Sequence, residues 1–324
     1  MHTPSFQGVL DAARQIAPAA VRTPLIEHPA LNAAIGGRVL MKAETLQVAG
    51  AFKFRGAYNR ISRLTDDERK RGVVAYSSGN HAQGVAAAAQ AVGTRALIVM
   101  PSDSPTVKVE GVRAFGGEVR FYDRWSESRE AIGAEIAAER GSILVPPFDD
   151  PFIIEGQGTV GLEMLEQAGV PMNQLLCGAS GGGLIAGLNL VMAEQSPATR
   201  VIVVEPEAFD DTRRSLAAGE RTPHPQGAPS ICDALMAPMP GELTWPINQR
   251  LAGAAVVTDA EVAEAMRFAF RWLKLVIEPG GAVSLAALLS GKVAAQGLTT
   301  GLVLSGGNVD PGLFAEIIEG RFEG

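Results

Sequence analysis

Cysteine is nearly missing. The 324 residues include two, Cys177 and Cys232. That is too few for a disulfide framework, and a reducing cytoplasm is the expected setting. Histidine is almost as scarce: His2, His28, His81 and His224 lie far apart and show no metal-ligand spacing. Positive charge is in deficit, with 28 Lys and Arg against 35 Asp and Glu and a net charge of −7. No basic stripe stands out, which argues against nucleic acid and anionic membranes as partners. No apolar run reaches the roughly 18–20 residues needed to cross a bilayer. The opening MHTPSFQGVLDAARQIAPAAVRTP lacks the basic head and continuous apolar core of a secretion signal. Repeats, low-complexity stretches and charged tails are missing too, and no regulatory domain is expected after the core.

What is present has the composition of a globular protein with a sizeable core, 47% hydrophobic and 19% charged. Its length suits two domains or one large one. Apolar β-type runs alternate with helical ones. VVAYS (73–77) precedes an Ala-rich helix over 81–93. ALIVM (96–100), a helical segment over 105–115, EVRFY (118–122), a helix over 126–140 and SILVP (142–146) follow. A second series runs LLC (175–177), a helix over 184–195 and VIVVE (201–205). AAVVT (254–258), GLVLS (301–305) and a closing helix complete it. Such alternation predicts an α/β protein whose largely parallel sheets are covered by helices on both faces. Residues 219–250, rich in Pro and Gly, read as a long surface connection.

The clearest chemical signal is LLCGASGGGLIAG. A buried strand runs into Gly178, Ala179, Ser180, Gly181, Gly182 and Gly183, and then into a helix. Glycines let the backbone approach an anion, and the helix start offers unpaired N–H groups and partial positive charge. A phosphate suits this turn. Glycines serving only tight strand–helix packing are the plain alternative. A dinucleotide is the sharper one. Gly181, Gly183 and Ala186 fit G-x-G-x-x-A, and Glu205 ends the next strand where a ribose-binding acid would lie, as in a nucleotide-dependent oxidoreductase. The segment lacks the G-K-[ST] of a triphosphate loop, which counts against ATP.

Lys53, between Phe52 and Phe54 in GAFKFRGAYN, is the second signal. Among apolar groups a lysine loses basicity and becomes a usable amine nucleophile and base; a solvated lysine at a helix start is the alternative. SSGNHAQG (77–84) is the third. Its hydroxyls, glycine and amide open a helix, a place for a substrate carboxylate or for a simple capping turn. LSGGNVD (304–310) puts Ser305 at a strand end before a glycine turn. In VVEPEAFDD, Glu205 and Asp211 offer hard oxygen ligands, and a solvated acidic loop is the other reading.

GAFKFRGA, SSGNHAQG, SGGGLIAG, EPGGA and SGGNVD occur in this order over about 23–310. Together they resemble fold-type II pyridoxal phosphate (PLP) enzymes, within the threonine/serine dehydratase and serine racemase group. The resemblance implies two domains, 1–62 with 150–324 and 70–147, with the cofactor between them. It implies that Lys53 carries the cofactor covalently, with Phe52 beside the ring and Asn80 on its phenolic oxygen. Ser180, Gly181, Gly182 and Gly183 match the phosphate loop, and Ser305 faces the pyridine nitrogen. Ser77, Ser78, Gly79, Asn80 and His81 match the loop for the substrate carboxylate. Arg129 matches a position that meets a second substrate carboxylate. Glu205, Asp211 and the Phe209 carbonyl match a Mg²⁺ or Ca²⁺ site.

The implied reaction is dehydration of a small 3-hydroxy amino acid, threonine or serine first, to a 2-oxo acid and ammonia. Lys53 takes the α-proton. Ser78 is the residue that reprotonates the opposite face in racemases. 3-Hydroxyaspartate and a diamino 3-hydroxy acid are further substrates, and a homodimer is the implied assembly. Two departures stand out. Glu155 replaces the usual small residue in I-A-G-Q-G-T; facing solvent is the expected role, and pairing with a cationic group of the substrate is the alternative. Pro146 replaces a common histidine.

Overall fold

The computed structural model describes residues 2–104, 106–225 and 229–322. Among the described residues ten strands occur in chain order: β1 (Leu25–Ile26), β2 (Arg38–Ala43), β3 (Val73–Tyr76), β4 (Ala96–Pro101), β5 (Glu118–Tyr122), β6 (Ile143–Leu144), β7 (Gln174–Gly178), β8 (Arg200–Pro206), β9 (Gly253–Val257) and β10 (Thr299–Leu304). They build a six-stranded sheet of order β1-β2-β10-β7-β8-β9 and a four-stranded sheet of order β5-β4-β3-β6. Every pairing is parallel except β1 with β2. The inner strands are mostly apolar and buried because helices cover both faces, with Lys42, Gln174, Glu205 and Thr300 as buried polar exceptions. β5, at an edge, is mostly exposed.

Three sequence expectations change. The run 142–146 shortens to β6, because Pro146 and Pro147 have no N–H for a ladder. The helix over 126–140 starts at Arg129, where Ser128 caps it by accepting the Ala131 N–H. Before it, Asp123 accepts from Trp125 N and the Ser126 hydroxyl and holds a turn instead. The segment over 219–250 is not a plain surface connection. It contains the short helix Trp245–Asn248 and buries Cys232, Leu235, Trp245 and Asn248. The helix expected over 105–115 is Thr106–Ala114; Pro105 lies outside the described residues.

One helix positions the rest. Pro151–Ala168 starts at an Asp150 cap, with proline at its first position, and packs against two helices through glycines. A Cβ on Gly156 would lie 2.6 Å from the Gly56 Cα in helix Lys53–Ile61. A Cβ on Gly187 in helix Gly183–Gln195 would lie 2.5 Å from the Gly158 nitrogen. The helix bearing Lys53 and the helix behind the glycine turn are thus both docked on a common spine.

Helix Lys53–Ile61 has two different faces. Phe54, Ala57 and Ile61 enter the core beneath the four-stranded sheet, with Val73, Ala75 and Ile98. Arg55 enters a buried charge network instead. Its guanidinium donates to Glu44 and Glu163, Lys42 donates to Glu163 and to the Thr23 carbonyl, and the Thr23 hydroxyl donates to Glu44. Burial alone would lower the Arg55 pKa, but Glu44 and Glu163 raise it. Burial keeps Lys42 below its ordinary range, against the pull of Glu163. Two cations and two carboxylates balance, which lets the network stay dry.

Candidate active site

The segments singled out in the sequence meet at the carboxyl ends of the strands. β3 ends just before Ser77, β7 just before Ala179 and β10 just before Ser305. In open parallel sheets this is the side where ligands bind, because helix N-termini open there.

Lys53 begins its helix and is partly buried. Its Nζ donates to the Pro147 carbonyl at 2.8 Å and lies 5.2 Å from the Phe52 ring centroid. Burial lowers its pKa to about 8. About a tenth of a free amine here is therefore unprotonated at pH 7, against well under about a thousandth for an ordinary lysine. The Asn80 helix (Asn80–Val92) packs beside it through Gly84, whose Cβ would sit 3.1 Å from the Lys53 backbone.

The next residue after Pro147 reaches the glycine turn. A Cβ on Gly181 would lie 2.3 Å from the Phe148 ring, so only glycine fits. Gly182 has φ +87°, in the left-handed region that favours glycine. The turn's carbonyls face the segment over 219–250. The Gly181 oxygen accepts from Gly241 N at 3.1 Å and from the Thr244 hydroxyl at 2.6 Å; the Gly182 oxygen accepts from Asn248 Nδ2 at 3.1 Å. In a trans peptide the N–H lies opposite its carbonyl, so the Gly182 and Gly183 N–H groups face away from that segment. Ser180 Oγ accepts from Ala237 N at 3.1 Å, which leaves its proton to donate. Sequence reading missed Thr244, Asn248 and Pro147, since each acts across a wide chain separation.

Asn80 joins the other side. Its Oδ1 accepts from Asn308 Nδ2 at 2.8 Å, and its Nδ2 donates to Glu278. Ser305 is buried, and its carbonyl accepts the Phe52 N–H at 3.1 Å, next to the Ala51–Gly306 bridge. In the loop before Asn80, the Gly79 N–H donates to Ser77 Oγ and Ser78 is partly buried. A Cβ on Gly79 would meet nothing within 4 Å, so the loop borders open space. No side chain caps the Asn80 helix. His81 is buried, with Nε2 2.9 Å from the Val145 carbonyl and Nδ1 without a partner. Burial and the nearby Lys53 hold its pKa at about 3, so the ring is neutral. Arg129 is partly exposed. Its guanidinium pairs with Glu130 and lies 5.7 Å from the Tyr76 ring, just before Ser77.

Glu205 does not face a nucleotide. It is fully buried and accepts the N–H groups of Thr212 and Arg213, which removes the acid a dinucleotide would need. Asp211 is also fully buried, and both its carboxylate oxygens lack hydrogen-bond partners among the described residues. Phe209 sits between them in the turn Glu207–Phe209. Among the described residues no cluster of three or more His, Cys, Asp or Glu side chains is placed to hold a metal.

Glu155 corrects another expectation. It is 1% exposed, not solvent-facing. Its carboxylate accepts the Ser5 N–H at 3.2 Å and pairs with His2, at the start of helix Phe6–Ile16. A carboxylate at a helix N-terminus is favourable, and the role here is to dock the first helix.

The residues fit PLP. The Lys53 amine has no carboxylate partner among the described residues and bonds the Pro147 carbonyl; the next residue, Phe148, packs on the glycine turn, whose N–H groups suit a phosphate, and Ser305 and the Asn80 helix contact the Lys53 segment. Comparison with known proteins agrees. Residues 16–306 match the family model described as pyridoxal-phosphate dependent enzyme. The chain is 41% identical over 321 residues to the L-threo-3-hydroxyaspartate ammonia-lyase of a Pseudomonas species, covering 99% of this chain and 100% of that protein. It superposes on maize serine racemase with TM-score 0.92 at 37% identity, covering 99% and 98% of the two chains. It superposes on a threonine deaminase from T.th. with TM-score 0.88 at 43% identity, covering 95% and 99%. On these grounds the chain belongs to the pyridoxal-phosphate-dependent enzymes, in the fold-type II group of the dehydratases and serine racemases.

Proposed function

We propose that this chain is a PLP-dependent ammonia-lyase that removes water from a small 3-hydroxy amino acid, giving a 2-oxo acid and ammonia. The observation that carries the reading is the Lys53 amine, made nucleophilic by burial and bonded to the Pro147 carbonyl, beside the Phe148 that packs on the glycine turn. Lys53, Phe52, Asn80, Ser305 and the turn Ser180–Gly183 would hold PLP, which when bound draws electrons from the substrate α-carbon. The chain's own groups do the rest. The uncapped Asn80 helix with Ser77, Ser78 and Gly79 takes the substrate carboxylate. Lys53 accepts the α-proton and returns a proton to the departing hydroxyl. Neutral His81 supports the wall beside Lys53 without competing for that proton. We divide the chain into 1–62 with 150–324 and 70–147, with the Lys53 helix lodged between the two parts.

Among substrates we place L-threo-3-hydroxyaspartate first. Arg129, stacked on Tyr76 at the edge of the carboxylate loop, can meet a second carboxylate, and the similar Pseudomonas protein bears that activity. Threonine and serine are the second reading, supported by the threonine deaminase likeness. A panel of 3-hydroxy amino acids scored for 2-oxo acid and ammonia tests both. Arg129→Leu should cut kcat/KM for 3-hydroxyaspartate by about tenfold or more and leave threonine within about threefold. Equal loss for both substrates would remove Arg129 from the account. Ser78 permits racemisation, as the serine racemase likeness suggests, and chiral analysis of residual serine measures it.

The two unpartnered Asp211 oxygens support a Mg²⁺ or Ca²⁺ ion held with Glu205 and the Phe209 carbonyl. Chelator should lower Tm and either cation restore it; indifference to chelator would remove the ion. A homodimer is supported by exposed Phe270, Trp272 and Val276, and a reducing cytoplasm by the two free, buried cysteines.

A further inference from the structure

Asn80 has two amide N–H groups and one oxygen, and only a nitrogen facing the crevice can donate to an acceptor there. Two neighbours decide which end faces which way. Asn308 Nδ2 donates to Asn80 Oδ1 at 2.8 Å and also to the Ala49 carbonyl at 2.8 Å, which anchors it as a donor. On the other side Glu278 Oε1 accepts from Asn80 Nδ2. Asn308 already fixes the amide oxygen at the other end, so the end that meets Glu278 is the nitrogen.

The chain is built around the contact. Glu278 is 2% exposed, and its N–H donates to the Gly306 carbonyl at 3.1 Å. A Cβ on Gly306 would lie 2.1 Å from Glu278 Oε1 and 3.1 Å from Asn80 Nδ2. A Cβ on Gly281 would lie 2.5 Å from the Gly306 oxygen. The glycines of EPGGA and SGGN therefore leave room for one buried carboxyl and its amide partner. Glu278 precedes helix Pro279–Leu289 without capping it, so capping does not account for the side chain. Burial, and then Asp233, raise its pKa to about 7, while Asn80 and Lys108 pull the other way.

We propose that Glu278 is a positioning residue for the cofactor, fixing the Asn80 amide so that its second N–H is presented to the phenolic oxygen of PLP. This rests on the reading of Lys53 and Asn80 as PLP-binding residues. With both ends of the amide held, Asn80 needs no reorganisation on binding, and its hydrogen bond is made at full strength.

The test is a PLP titration of the cofactor-free protein, followed by absorbance, for wild type, Glu278→Ala, Glu278→Gln, Asn80→Ala and the double variant Glu278→Ala/Asn80→Ala. Glu278→Ala should weaken PLP by about tenfold, the scale of one lost hydrogen bond. The double variant should bind no more weakly than Asn80→Ala alone, since Glu278 acts through Asn80. Glu278→Gln keeps an acceptor oxygen and should recover most of the affinity, and it serves as the folded control if Glu278→Ala does not fold. Wild-type affinity in Glu278→Ala, additive losses in the double variant, or Glu278→Gln no better than Glu278→Ala would each overturn the proposal. A wild type that takes up no PLP would instead overturn the underlying reading.

Discussion

At the scale of single residues, the chemistry depends on how burial changes ordinary groups. Lys53 is an ordinary lysine by composition, and only the apolar wall around it brings its pKa to about 8. Uptake of PLP by the cofactor-free protein should therefore quicken with pH, reach half its limit at about pH 8, where half of the amine is unprotonated, and level off roughly one to two units above that. A stopped-flow series of absorbance traces reads this directly. Rates still climbing past pH 10 would mean an unperturbed lysine. His81 is pushed the opposite way from a catalytic histidine, to about 3, so activity should show no step from its titration between pH 5 and pH 8. The two flanking phenylalanines leave a solvated lysine open, and Lys53 stood out only when its motif was read together with the later glycine-rich ones. Glu278 did not stand out, because its partner Asn80 lies 198 positions away and no local window holds both.

Among the elements, helix Pro151–Ala168 is the part on which precision depends. It brings the Lys53 helix and the glycine-turn helix together through glycine contacts that admit no side chain. Gly187→Val should cost about 3 kcal/mol of stability by overpacking, measured by urea unfolding, and should weaken PLP because the turn moves with its helix. Unchanged stability would show that the crossing can relax. The same helix carries Glu155, which holds the start of helix Phe6–Ile16. Glu155→Ala should expose the amides of residues 5–9 to faster hydrogen exchange and cost about 2 kcal/mol, as for a hydrogen bond to a charged group. Exchange unchanged from wild type would assign the docking to apolar contacts alone. The strands and most helices were legible from apolar runs and glycine stops. The ends that failed were those set by prolines after β6 and by the Asp123 turn, where side-chain–backbone hydrogen bonds outweigh periodicity.

For the whole molecule, two parallel sheets turn their carboxyl ends toward one crevice, and a buried charge network locks the Lys53 helix between them. Arg55→Met would leave Glu44 and Glu163 without their shared cation and should cost about 3–5 kcal/mol in urea unfolding. A loss below about 1 kcal/mol would show that water or Lys42 compensates. The parallel α/β class was legible in advance, because the turns that start at Ser77, Ala179 and Ser305 each follow an apolar strand. The wall formed by Gly241, Thr244 and Asn248 stayed hidden, since Pro and Gly content alone reads as a loop. The central claim is that one amine, at position 53, carries the cofactor. Borohydride reduction of the PLP-loaded protein followed by peptide mass spectrometry tests it most directly. The phosphopyridoxyl mass should fall on the peptide containing Lys53 and vanish in Lys53→Ala; the same mass on another lysine, or its persistence in that variant, would contradict the account.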